Sequence, residues 1–257
     1  MIGKTVVVTG ASQGIGEATA RRFAEAGAHV VLSDHSVEVD RVAADIAKVH
    51  PSSKAMGVVT DVTDPSACDA LVAAALKQHG RLDVLIVAGA VLQKKGPVAK
   101  LAPEEWDRVM AINATGPFLL CRSAIPALPH PGGRIVLLAS FSGEVGLPEY
   151  AAYSASKGAV RLLTQSLALE LAGDGITVNA VAPAYVESEL GNQAMAATAA
   201  ATGKSVDEIR AMRNAAIPLG RQATGREIAD AMLYLASPAA AYVTGTCLDI
   251  NGGVVLR

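Results

Sequence analysis

The chain predicts an α/β fold: a doubly wound, parallel, seven-stranded sheet with helices on both faces. Three observations carry that reading. Short β-rich runs alternate with helical patterns throughout, and strict alternation places parallel strands under helices on both sides. The first run, Thr5-Val6-Val7-Val8-Thr9, leads straight into a glycine-rich turn, Gly10 to Gly16. The 257 residues are 51% hydrophobic but only 4% aromatic, which suits one Ala/Val/Leu-rich layered domain (1–257) with a sizeable core.

Strands are expected at residues 5–9, 29–33, 55–60, 84–88, 134–139, 177–181 and 247–250. Helices are expected between them at 15–26, 37–49, 65–79, 103–125, 150–171 and 226–236. Right-handed crossovers then wind the sheet in two directions and put ligands at the carboxyl ends of its strands. There is no internal repeat and no linker rich in Pro, Gly or Ser.

Residues 188–218 interrupt the rhythm with a run of small side chains, Ala194-Met195-Ala196-Ala197-Thr198-Ala199-Ala200-Ala201. A break at Thr202-Gly203-Lys204 precedes Ser205-Val206-Asp207-Glu208, a capping box that starts a second short helix. The segment reads either as two packed surface helices or as a helical lid over a site. Its place directly after a strand end favours the lid.

Net charge is −2 and the isoelectric point near 6.2, so nothing in the chain points to nucleic acid or an anionic membrane. The longest apolar stretch, residues 84–92, is too short to span a bilayer. The opening Met1-Ile2-Gly3-Lys4 runs into the first strand without the form of a signal peptide. Cys68, Cys121 and Cys247 are far apart and form no C-x-x-C. They read as reduced thiols of a soluble cytoplasmic protein. His29, His35, His50, His79 and His130 lack ligand spacing, and no metal is expected.

Thr9-Gly10-Ala11-Ser12-Gln13-Gly14-Ile15-Gly16 lies between a strand and a helix, the context a dinucleotide loop requires. Gly10 and Gly14 let the chain turn and approach a pyrophosphate, Gly16 lets the helix pack on the sheet, and the helix N-terminus faces the phosphates. Asp34 closes the second strand eighteen positions beyond Gly16. A carboxylate there accepts from the ribose hydroxyls and repels a 2′-phosphate. Position 13, where a basic residue would pair with that phosphate, is Gln13. Both choices favour NAD over NADP.

Tyr153 and Lys157 are four residues apart on an expected helix, one turn from each other on one face. An ammonium at that range lowers a tyrosine pKa by about one to three units, which makes Tyr153 usable as an acid or base. Tyr150 lacks a Lys four residues on.

Together these motifs resemble the short-chain dehydrogenase/reductase family over nearly the whole chain. T-G-x-x-x-G-x-G spans Thr9 to Gly16, Asp61-Val62 follows the third strand, and Asn113, Ser140, Tyr153 and Lys157 stand where the family has its tetrad. Asn179 precedes Pro183, and Asn251-Gly252-Gly253 matches a C-terminal turn. Three departures stand out. Val87-Ala88-Gly89-Ala90 replaces the usual N-N-A-G, removing two amide side chains; Pro183-Ala184 replaces Pro-Gly; and Ser188 replaces a Thr while keeping the hydroxyl.

The resemblance implies a Rossmann fold and reversible oxidation of a secondary alcohol to a ketone. In it Tyr153 is the acid/base, and Lys157 also bonds the nicotinamide ribose. Ser140 holds the substrate oxygen, and Asn113 holds a water that relays protons. It implies an adenine pocket at Asp61 and Val62 and a carboxamide partner in Ser188. The cofactor site extends to Ser12, Ile15, Ala88, Gly89, Pro183 and Val186. The substrate pocket is expected from Gln93, Ser142, Glu144, Leu147 and Tyr185 beside Ser140 and Tyr153, a mixture of polar contacts and apolar wall. This composition, with a loose resemblance to the polyol, sugar and 2,3-butanediol dehydrogenases of the family, favours a small polyhydroxylated substrate. The alternatives are a 3-oxoacyl-thioester reductase, against which Gln13 and Asp34 argue, and a non-catalytic NAD-binding protein. The helices around 106–125 and 150–171 are apolar on more than one face. That surplus predicts burial against copies of the chain, and the family implies a homotetramer.

Overall fold

The computed structural model describes residues 1–256. In chain order they form β1 (Thr5–Thr9), α1 (Gly14–Glu25), β2 (His29–Asp34), α2 (Glu38–Val49), β3 (Met56–Val59), α3 (Pro65–His79) and β4 (Val84–Val87). There follow α4 (Pro103–Met110), α5 (Gly116–Ala124), β5 (Arg134–Leu138), α6 (Ala151–Leu171) and β6 (Thr177–Pro183). The chain continues with α7 (Glu189–Thr202), α8 (Val206–Ala216), α9 (Gly225–Ala236) and β7 (Cys247–Ile250). The sheet has seven strands in the order β3-β2-β1-β4-β5-β6-β7, paired in parallel throughout. This is the doubly wound Rossmann fold that the alternation predicts.

Successive strand residues point to opposite faces, and the apolar side chains divide accordingly. Val7, Val31, Leu85, Ile135 and Leu137 pack with α3, α5 and α6 through Leu71, Leu120 and Val160. Val6, Val8, Val30, Leu32 and Ile86 pack on the other face with α1, α2 and α9 through Phe23, Ile46 and Met232. Each fully buried aliphatic side chain contributes about 1.5–3 kcal/mol. A one-residue slip would exchange both sets, so the register is fixed. Because β1 lies between β2 and β4, the chain winds outward on both sides of it, opening a crevice at the strands' carboxyl ends.

Local signals stop and start the helices. Asp64 accepts from Ser66 N–H with Pro65 at the first turn of α3, and Gly80 ends it in the left-handed region at φ 71°. The capping box at Ser205 and Glu208 forms in both directions and opens α8, as the sequence predicts. Thr224 and Glu227 repeat the device on α9.

Boundaries differ where tertiary contacts intervene. The single helix expected over 103–125 is broken by a π-helical turn at Ala111–Thr115 between α4 and α5. There Asn113 is drawn to the main chain of Val91, and Gly116 lies where a Cβ would press on Val62. Ile125 falls instead in a 3-10 turn containing Pro126. β6 runs two residues further than expected, through Pro183, and β3 is shorter at both ends.

Asp83 ties the amino edge of the sheet together. Its buried carboxylate accepts from Thr5 N–H at 2.9 Å and from Lys4 Nζ at 3.0 Å, and pairs with Arg81. Burial pushes this carboxyl up, but the bonds from Arg81, Thr5 N–H and Lys4 outweigh it and hold the group below its ordinary 3.8. Its stabilisation is therefore fully present above the free-carboxyl value and is lost as pH falls through the lower folded value. Asp83→Asn should lower stability by about 2 kcal/mol near neutral pH. The gap from wild type should close on acidification, measured by thermal melts across pH.

Candidate active site

The crevice is one cavity of about 1210 Å³, bounded by the carboxyl ends of the strands and by α7 and α8. It exceeds the roughly 300–1,000 Å³ of an ordinary ligand pocket, leaving room for a dinucleotide and a second small molecule.

At the dinucleotide end, Gly10 adopts φ 67° and Gly14 φ 59°, backbone that favours glycine. A Cβ on Gly10 would overlap Gly89, and one on Gly16 would overlap the Gly10 carbonyl oxygen. The loop is thus folded tightly under the N-terminus of α1, which no side chain caps. Its free N–H groups and dipole face the cavity, where they suit phosphate. Ser12, Gln13 and Ile15 line the same wall.

The Asp34 carboxylate at the end of β2 is fixed by Ser12 N–H at 3.2 Å, Ser12 Oγ at 2.8 Å and Ser36 N–H at 3.1 Å. His35 Nδ1 lies 2.9 Å from it. Asp61 and Val62 form the next part of the wall. The Asp61 carboxyl is held below its usual range by the Thr63 hydroxyl and N–H. Ala88, Gly89, Pro183, Val186 and Ser188 continue the cavity toward α7. The donor set, the glycine cradle and the uncapped helix fit a nicotinamide dinucleotide. Ser188 Oγ also accepts from Gly191 N–H at 3.1 Å, capping α7.

At the other end Ser140 and Tyr153 both line the cavity, and the Ser140 hydroxyl favours the ionised form of the Tyr153 phenol. Gly143 makes this possible: a Cβ there would run into the Lys157 carbonyl and the Gly158 nitrogen. The turn after β5 therefore rests directly on the backbone of α6. Lys157 is buried behind the cavity wall, where its Nζ donates to the Leu138 carbonyl at 2.7 Å. It stands 5.8 Å from the centre of the Tyr153 ring.

The expected fall of the Tyr153 pKa is outweighed in this pocket. Burial pushes the phenol up to about 12 against the bond from Ser140. Burial also pushes the Lys157 ammonium down to about 8.

Other expected site residues are placed differently. Asn113 is fully buried and both atoms of its amide are engaged: Oδ1 accepts from Val91 N–H and Nδ2 donates to Val91 O, each at 2.9 Å. Its side chain braces the turn after β4 instead of presenting a free amide to a water. Gln93 does not line the cavity; it accepts from Ala152 N–H at 2.7 Å and donates to the Glu149 carbonyl at 2.9 Å, anchoring the start of α6. Ser142 is buried behind Ser140, its Oγ donating to Ser140 Oγ at 3.0 Å. Glu144 lies outside the cavity and pairs with Arg161 at 3.1 Å. Leu147 and Tyr185 do line the cavity.

Lys95, in the loop after β4, and Tyr150, beside Tyr153, line the cavity too, as do Arg108, Ile209, Met212 and Arg213, which were not singled out from the sequence. Ile209, Arg213 and Ala216 fall at helical spacing, and that period was the available sign of an inward face.

Fold and site define a nucleotide-dependent oxidoreductase acting on CH–OH groups. Residues 10–255 match the family described as enoyl-(acyl carrier protein) reductase. The chain is 39% identical over 251 residues to a cis-4-hydroxycyclohexanecarboxylate dehydrogenase of Sinomonas cyclohexanicum, covering 97% of this chain and 96% of that enzyme. It is 38% identical to a meso-2,3-butanediol dehydrogenase of Serratia marcescens, over 97% and 94% of the two chains. The solved 3-ketoacyl-(acyl-carrier-protein) reductase of Brucella melitensis, complexed with NADH, superposes with a TM-score of 0.85 at 32% identity over 99% of each chain. The protein belongs to the short-chain dehydrogenase/reductase family.

Ser140→Ala removes the bond that opposes burial at Tyr153. The phenol pKa then rises, and the alkaline increase of kcat/KM for alcohol oxidation should move to higher pH, with at least about a tenfold loss near neutrality. A pH–rate profile of the variant checks both.

Proposed function

We propose that the enzyme interconverts a secondary alcohol and a ketone with NAD, on a small hydroxylated substrate of the polyol, sugar or vicinal-diol kind. The carrying observation is the Ser140–Tyr153 hydroxyl pair facing the same cavity as the uncapped N-terminus of α1 and the Asp34 carboxylate. The two curated relatives are named for substrates that carry a hydroxyl on a secondary carbon.

A bound nicotinamide supplies the hydride acceptor or donor. The protein's own part is orientation and proton transfer. Ser140 holds the substrate oxygen, and the Tyr153 phenolate takes its proton as the carbon is oxidised. Lys157 stabilises that phenolate. Asn113 acts as a positioning residue, holding the turn at Val91 against α6. Gly10, Gly14 and Gly16 receive the pyrophosphate and Asp34 the adenine ribose. Ser188 meets the carboxamide in this reading.

Segment 188–218 serves in this reading as the lid. It brings Leu190, Ile209 and Met212 to the cavity and holds together through a small core of its own, Met195, Ala199 and Ile209. We also propose a homotetramer, supported by Phe118, Leu162 and Leu169, 47%, 64% and 84% exposed on α5 and α6. A cytoplasmic location is supported by free Cys68, Cys121 and Cys247.

The 3-ketoacyl reductase among the relatives keeps a second reading open, and one assay separates them. Diols, polyols, sugars and a 3-oxoacyl thioester are compared by NADH and NADPH absorbance. Oxidation of a diol or polyol with NAD is expected; turnover confined to the thioester with NADPH would overturn the proposal. Asp34→Ala should weaken NAD by about 1–3 kcal/mol and bring NADP closer to it, measured as the ratio of kcat/KM values. Light scattering at micromolar concentration should give the mass of four chains, and a monomer would exclude the assembly.

A further inference from the structure

Among the described residues, three Lys or Arg side chains face the cavity: Lys95, Arg108 and Arg213. Two of them are neutralised by protein. Lys95 Nζ lies 3.3 Å from the Glu149 carboxylate, and Arg108 pairs with Glu105 at 2.8 Å while also donating to the Leu92 carbonyl. Arg213, on the cavity face of α8, has no carboxylate partner among the described residues. Its guanidinium is half-buried against the Tyr185 ring, 5.1 Å from the ring centre. Its one hydrogen bond is a long one, Nη1 to the Gly191 carbonyl at 3.3 Å.

A guanidinium has five donors in a planar fork suited to carboxylate. Most of that capacity is unused here, in a cavity wall that also includes Ile209, Met212, Tyr150 and Tyr185. Half-burying a cation without a counter-charge carries part of the cost of desolvation, and an anion on the ligand would offset it. The position also sets the distance from the chemistry. Ser140 is followed by Phe141, whose ring tilts against Tyr185 with centroids 5.7 Å apart. Tyr185 in turn carries Arg213 on its face.

We infer that the substrate is a secondary alcohol bearing a carboxylate, with the carboxylate held by Arg213 across an apolar spacer that rests on Tyr185 and Phe141. A hydroxylated ring or short chain with an acid at its far end meets that description. The inference rests on the alcohol–ketone reading above and narrows it to hydroxy acids. Arg213 is a specificity residue of the lid helix. Its bond is made by the remote end of the substrate, so lid and substrate acid engage together. The hydroxyl meanwhile remains at Ser140 and Tyr153.

The test compares cis-4-hydroxycyclohexanecarboxylate with its methyl ester, as substrates of wild type, Arg213→Gln and Arg213→Lys with NAD. A hydrogen-bonded charge pair of this kind gives about 10-fold to 100-fold in affinity. Wild type should favour the acid over the ester by that factor in kcat/KM. Arg213→Gln should abolish the ratio mainly through KM, and Arg213→Lys should restore part of it. Equal turnover of acid and ester by wild type, or a ratio that survives Arg213→Gln, would overturn the inference. Calorimetric binding of cyclohexanecarboxylate and cyclohexanol to the wild-type NADH complex gives a readout independent of turnover and of any variant's folding. If no alcohol is oxidised but cyclohexanecarboxylate binds at least about tenfold more tightly than cyclohexanol, the alcohol–ketone reading fails and the anion site stands. If the two bind alike, the anion site is refuted.

Discussion

The close approach of the turn after β5 to the backbone of α6 is the constraint on which the site depends. Gly143 lies where any side chain would run into the main chain at Lys157 and Gly158. With that space empty Ser140, at the end of β5, faces the same cavity as Tyr153 on α6. The same contact brings the Lys157 ammonium onto the Leu138 carbonyl at 2.7 Å. One absent Cβ thus couples the strand that carries the serine to the helix that carries the tyrosine and lysine. Gln93 completes the arrangement from the other end by holding the main-chain N–H groups of Ala152 and Tyr153.

A second backbone contact, Gly10 against Gly89, joins the turns after β1 and β4. It explains how the unusual Val87-Ala88-Gly89-Ala90 turn is accommodated. Val87 and Ala88 enter the two apolar layers on opposite faces of the sheet, so neither needs a polar partner. Bracing comes from Asn113, whose amide takes both the N–H and the carbonyl of Val91. The π-helical turn at Ala111–Thr115 carries that side chain. A buried amide engaged on both sides is worth keeping even at the cost of regular helix geometry, since leaving those groups unpaired would cost about 1–3 kcal/mol each.

The sheet, its helices and the glycine loop were legible in the sequence because each follows a local rule. Buried parallel strands need apolar runs, crossovers need helices, and a phosphate turn needs residues without Cβ. The capping box at Ser205 was legible for the same reason. What escaped was set by tertiary contact. Nothing local to residues 103–125 announces that Asn113 will be drawn toward Val91 and widen the helix. Gln93 and Glu144 have polar side chains after the right strands, but one is consumed by the N-terminus of α6 and the other by Arg161. Sequence places a residue near a strand end; it does not say which neighbour claims the side chain. Arg213 is the converse case: no carboxylate among the described residues pairs with it.

The electrostatics of Tyr153 and Lys157 are set by burial and by each other. Burial, opposed at the phenol by Ser140, takes the phenol up to about 12 and the ammonium down to about 8, each toward neutrality. Ionising the phenol beside a protonated lysine creates a pair of opposite charges. That attraction favours the phenolate and opposes what burial imposes on the tyrosine. Neither residue is tuned alone: the phenolate is accessible only while the lysine keeps its proton, and the lysine's value near 8 leaves it protonated at neutral pH. Placing Lys157 behind the wall, on a carbonyl instead of in solvent, preserves this coupling, because water between the charges would screen it. On the proposed reading, the neutral phenol would donate to a ketone and, one proton lower, the phenolate would accept from an alcohol.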